Sequence, residues 1–129
     1  MGEMQLGRMQ FRIMQVLWDR EKASAREITD ALNVQEPVAH STVQTLLRQL
    51  EAKGAVRHEE TGRTFVFFAN LKEDKVKRTA TRDLLERVFG GNVGSLVAHL
   101  LKHEGLSRSE LDELQKLIRA RIRSGATPR

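Results

Sequence analysis

The stretch from Lys22 to Leu71 contains "KASAREITDALN", "STVQTLLRQLEAKGA" and "VRHEETGRTFVFFANL", and its hydrophobic period changes at Gly54. That change constrains the fold more than any other feature. Before Gly54 the apolar residues recur at helical spacing, with Ile28, Ala31 and Leu32 in one short run and Val43, Leu46, Leu47 and Leu50 in the next. After Gly54, itself a natural helix stop, Val56 belongs to a first strand, Thr61-Gly62 to a turn, and Phe65 to Phe68 to a β-prone, largely buried second strand. Ser24 with Glu27 forms a capping box at the start of the first short helix, and Asn33 suits its end. Pro37 disfavours helical geometry just before it, so a new helix is expected to open at Ser41, with Ser41 and Gln44 as a second capping box. A broader helix precedes both, over about residues 6–19: Met9, Ile13, Val16 and Leu17 recur, and Phe11, Met14 and Trp18 widen the stripe.

Helix, short helix, helix and hairpin is the order of a winged helix-turn-helix. Beyond Asn70 only the helical period remains. A basic helix, "KEDKVKRTATRDLLERVF", presents Val76, Ala80, Leu84 and Val88 and stops at Gly90-Gly91. A second, over about residues 93–103, carries Val93, Leu96, Val97, Leu100 and Leu101. In the third, Leu106 staples to Leu111, Ser107 and Glu110 form a capping box, and Leu114, Leu117, Ile118 and Ile122 continue the stripe. The tail "RSGATPR" is expected to fray. The expected protein is mainly α, with a winged helix-turn-helix DNA-binding domain over residues 1–70 and a C-terminal helical dimerisation domain over residues 71–129. The second segment is too short to cover three apolar stripes alone, so Leu96, Val97, Leu100, Leu101, Leu111, Leu114 and Ile118 are expected to pair with a second copy.

The third helix carries the functional signal. On a helical wheel Ser41, Thr45, Arg48 and Ala52 lie opposite the apolar side chains, flanked by Gln44 and Gln49, with Thr42 at the edge. An ordinary solvated face mixes Glu with Lys, whereas this one is compact, polar and nearly free of acid. Such side chains can meet base edges and phosphates across a major groove about 12 Å wide. Ser41, Thr42, Gln44, Thr45 and Arg48 are therefore candidate DNA contacts. Ser24 and Arg26, at the start of the second helix, are candidates for phosphate, as are Arg63 and Thr64 after the hairpin turn. For Arg63 a solvated hairpin charge is an equal alternative, and Glu59 and Glu60 argue against a deeply inserted wing. His58 is expected to be an exposed strand residue.

Net charge adds little to this. The formal charge is +5, yet residues 1–70 hold nine basic and nine acidic side chains, and residues 71–129, with thirteen against eight, carry the whole excess. The absence of cysteine excludes a disulfide framework, a zinc ribbon and thiol chemistry. The N-terminal "MGEMQLGRMQF" lacks a signal-peptide profile, and no apolar run approaches the ~20 residues that span a bilayer, so the expected location is the cytoplasm, without membrane attachment. No Gly-rich phosphate loop, nucleophile elbow or His-Glu-x-x-His sequence occurs, and no enzymatic role or catalytic residue is expected. His99 and His103 could share a metal from one helix face, but no third ligand accompanies them, and neither metal nor cofactor is expected.

The segments "RIMQVLWDREKASAREI", "STVQTLLRQLEAKGAV", "GRTFVFFANL" and "RVFGGNVGSLVAHLLKHEGLSRSELDELQKLIR" resemble the penicillinase repressor family across nearly the whole chain. The resemblance implies a winged-helix repressor that dimerises through its C-terminal helices and binds a double-stranded operator with dyad symmetry. It also implies relief of repression by cleavage. In the resistance repressors a membrane sensor-protease pathway cuts an Asn-Phe bond, and the positions in register here are His99 and Leu100, with a sensor protease as the corresponding partner. The copper-sensing branch carries C-terminal cysteines, which this chain lacks. Gln49 stands where an Arg is common in the family. Two other readings stay open: a winged-helix regulator released by a small-molecule ligand, and a winged-helix module that docks protein.

Overall fold

The computed structural model describes residues 5–125, so the last four residues of the tail expected to fray lie outside the described residues. Two compact units divide the chain, Met1–Leu84 and Leu85–Arg129, and the division falls within the fourth helix.

In the first unit α1 (Arg8–Arg20) buries Ile13, Met14 and Leu17, as its periodicity predicts. Phe11 and Trp18 meet edge to face, with ring centroids 5.7 Å apart, and the Trp18 indole N–H donates to the Leu71 carbonyl at 2.9 Å. α2 (Ala25–Asn33) opens on the expected capping box: Glu27 N donates to Ser24 Oγ at 3.1 Å and Ser24 N to Glu27 Oε1 at 2.8 Å. Its end is tied to the next segment by Asn33, whose side-chain amide donates to the Thr29 and Val38 carbonyls while its oxygen accepts from Val38 N.

α3 (His40–Ala52) starts one residue earlier than expected, with Ala39 as its N-cap and no side-chain cap, so the Ser41–Gln44 capping box does not form. The competing interaction is tertiary. His40 Nδ1 lies 2.8 Å from Thr29 Oγ1 on α2, and Thr29 Oγ1 also donates to the Ala25 carbonyl. Pinning the imidazole brings position 40 into the first turn and moves Ser41 inside the helix.

The hairpin is β2 (Val56–Thr61) against β3 (Thr64–Ala69), antiparallel, with Thr61 opposite Thr64. The two-residue loop is therefore Gly62-Arg63, one position later than Thr61-Gly62. Gly62 has φ +65°, the left-handed value that a type II′ hairpin demands of its first loop residue. Phe65 is 45% exposed and only Phe67 is buried, so the second strand is less covered than its composition suggests. A third strand escaped the sequence reading: β1 (Ala23–Ser24) pairs with β3, giving the order β1-β3-β2. Ile28, Leu32, Val43, Leu47, Leu50, Ala55 and Val56 join the α1 residues and Phe67 in one core.

α4 (Glu73–Phe89) buries Val76 and Leu85, while Leu84 and Val88 stay exposed. Gly90 and Gly91 both have positive φ and terminate it, and the Asn92 side chain caps α5 (Val93–His103) by accepting from Ser95 N at 2.9 Å. α6 (Arg108–Arg123) opens on the expected Ser107–Glu110 capping box. Among the described residues of the second unit, Leu85 is the only buried apolar side chain. No described helix is long and apolar enough to cross a membrane.

Candidate nucleic-acid interface

One face of α3 is sealed into the core by Val43, Leu47 and Leu50, with Leu46 half-buried. The opposite face presents Ser41, Thr42, Gln44, Thr45 and Arg48 to solvent. Arg48 Nη2 donates to Thr45 Oγ1 at 3.3 Å, so the two side chains expected to read sequence lie against each other. Helix propensity alone would not choose this face; the burial of Val43, Leu47 and Leu50 turns it outward.

Between α3 and the hairpin lies a concavity of about 520 Å³. Ser24, Arg26, Gln44, Arg48, Arg63 and Thr64 line it, so six of the nine nominated contacts share one surface although they come from separate elements. Three guanidinium groups are among them. Ser41, Thr42 and Thr45 do not line it; they extend the polar face along α3. The capping box explains how Ser24 and Arg26 reach this place: it fixes the start of α2, and β1 pins Ser24 opposite Val66 of the hairpin.

Three residues matter here in ways the sequence did not show. Gln10 is buried on α1; its Nε2 donates to Gln49 Oε1 at 3.0 Å, and its Oε1 accepts from Gly7 N and Lys53 Nζ. Gln49 is thus held toward α1 and is not a free reader. His58 is half-buried, its Nδ1 2.7 Å from Glu51 Oε2 and its ring stacked on Phe65 at 4.2 Å. Strand alternation is the one signal that could have turned His58 toward α3, since it shares a face with Val56. Glu51 also lines the concavity, so the surface carries one acid as well as its arginines.

Elsewhere on this unit Arg8 Nη2 meets Glu36 Oε1 at 2.7 Å and Arg12 Nη1 meets it at 3.1 Å. Hydrogen bonding and attraction from Arg8 hold the Glu36 carboxyl below the usual carboxylate range. In the second unit Val97, Leu100, Leu101, Leu111, Leu114 and Ile118 are all more than a third exposed, and Leu96 is half-buried. His99 and His103 have ring centroids 4.4 Å apart, and among the described residues no third His, Cys, Asp or Glu joins them in a metal-binding group.

A helix-turn-helix with a polar face on its second helix, flanked by a three-stranded wing carrying arginine, defines a winged helix-turn-helix protein of the nucleic-acid-binding class. The penicillinase repressor family model matches residues 6–120, and the chain belongs to that family. It is 25% identical over 116 residues to a penicillinase repressor of Staphylococcus aureus, covering 90% of this chain and 92% of that one. To a penicillinase repressor of Bacillus licheniformis it is 28% identical over 114 residues, with 88% and 89% covered. The solution structure of the DNA-binding domain of the repressor BlaI superposes with a TM-score of 0.50 at 30% identity, over 54% of this chain and 84% of that domain.

Proposed function

We propose that the chain represses transcription by binding a double-stranded operator of dyad symmetry as a homodimer, one winged helix on each half-site. The observation that carries this reading is the gathering of Ser24, Arg26, Gln44, Arg48, Arg63 and Thr64 around one concave surface beside the exposed face of α3. The names of the family and of its relatives support it. Thr45 and Arg48 read base edges, together with Ser41, Thr42 and Gln44, while Arg26 and Arg63 hold phosphates. Residues 1–70 are the DNA-binding domain and residues 71–129 the dimerisation domain, paired through the apolar side chains of α5 and α6. The protein works in the cytoplasm by binding and release, not by catalysis. Exposure of His99 and Leu100 on α5 suits relief of repression by a sensor protease cutting between them.

Selection of bound fragments from the source genome, followed by titration against salt, tests the central part. Binding that concentrates on dyad-symmetric sites and weakens steeply with salt is expected, because phosphate contacts release counterions. Absence of any duplex preference would sink the reading. The intact mass of the protein recovered from induced cells tests the cleavage: a fragment ending at His99 is expected, and uncut protein under a proven inducer would instead point to a ligand.

A further inference from the structure

A carboxylate on the surface that must receive phosphates needs an explanation, and Glu51 is such a group. It lies on the last turn of α3 and lines the same concavity as Arg26, Arg48 and Arg63. Its carboxylate would repel a phosphate bound there unless it is neutralised or held aside. His58 is placed to hold it aside. It lies on β2, opposite Phe67 on β3, and its ring stacks on Phe65 with planes 16° apart and leans on Phe67 at 5.6 Å. That packing fixes the imidazole so that Nδ1 reaches Glu51 Oε2 at 2.7 Å. The pair is half-exposed, with side-chain exposures of 31% and 36%.

We infer that His58 is a positioning residue for DNA binding: it ties Glu51, the one acid in the concavity between α3 and the hairpin, to the wing and so holds its carboxylate aside from a phosphate bound there. The inference rests on the proposed DNA-binding function. The surroundings of His58 are simple. α3 supplies Glu51, and β3 carries no charged residue from Thr64 to Ala69. On its own strand Glu60 shares its face, while Arg57 and Glu59 point the other way; Arg57 lies over the Phe68 ring at 4.5 Å. Arg26, Arg48 and Arg63 complete the charged groups of the concavity.

The test measures affinity for one selected operator, at one pH and salt concentration, with the full-length protein and its variants at Glu51 and His58. Glu51→Gln keeps the side-chain volume and can still accept from His58, but carries no charge. It should bind more tightly than the wild type, by about fivefold for a partly exposed charge. His58→Phe keeps an aromatic ring on Phe65 and leaves the Glu51 carboxylate free of its tether, so binding should weaken by a similar factor. Adding Glu51→Gln to His58→Phe should recover it. Salt-dependent operator binding by the wild type establishes the underlying function independently of the variants. If adding Glu51→Gln to His58→Phe recovers nothing, the inference is overturned, and if His58→Phe fails to fold, Glu51→Gln binding no more tightly than the wild type overturns it.

Discussion

In the winged helix Ile13, Met14, Leu17, Ile28, Leu47 and Leu50 are shut away from solvent, whereas Val97, Leu100, Leu101, Leu117 and Ile118 on the C-terminal helices stand 40–65% exposed. Both regions repeat apolar residues with the same helical period, so periodicity by itself does not distinguish them. The difference is what each stripe meets. α1, α2 and α3 close on one another and on a small sheet, and one core results. Among its described residues the second unit has no comparable core of its own; its stripes are stabilised only if another surface covers them. A region that folds on itself can present a polar face for reading, and a region left uncovered can bring two such faces together.

That contrast can be broken most forcefully at α5 and α6. Charged replacements at both Leu100 and Leu114 should yield monomers by sedimentation, and operator affinity should fall by about 10²–10⁴-fold as the second half-site is lost. A smaller effect sharpens the comparison from the other side. Leu47→Ala should destabilise the fold by about 2–5 kcal/mol in chemical unfolding at any protein concentration, because it opens a cavity in a closed core. Loss from Leu100→Ala should instead depend on protein concentration, as mass action requires of an interface.

Within the reading region the effects are smaller again and differ in kind. Arg48→Ala should change the ranking of operator variants, with about 1–3 kcal/mol of discrimination lost at the contacted base. Arg26→Ala and Arg63→Ala should weaken all sequences alike and reduce the salt slope by about one each. A uniform loss from Arg48→Ala would demote it to a backbone contact. The smallest effect concerns Glu36, whose carboxyl is held low by Arg8. Because its folded pKa is lowered, its contribution is present above the usual carboxylate range and is lost as pH falls through the lowered value. Glu36→Gln should therefore melt slightly below the wild type at neutral pH, and the gap should close in acid.

Much of the architecture was legible because local signals and packing agree. The Ser24–Glu27 and Ser107–Glu110 boxes, the Gly90-Gly91 stop and the Val43–Leu50 stripe all appear as the sequence implies. Misreadings came where a distant partner overrode a local motif. Thr29 holds His40, so α3 starts at His40 and the Ser41 cap is lost. Strand pairing placed Gly62 first in the hairpin loop and shifted the turn by one residue. β1 has two residues and exists only through its pairing with β3, which no local pattern reveals. Of the candidate site, the wheel gave the exposed α3 face, but it could not show that Gln10 ties back Gln49 or that Glu51 and His58 meet.

The most direct measurement of the account titrates the full-length protein onto one selected operator and onto the same duplex with a single half-site scrambled, across a salt series. Two chains per intact operator, a loss of about 10²-fold or more on scrambling, and a steep salt dependence are predicted. One chain per operator, with unchanged affinity for the scrambled duplex, would contradict it.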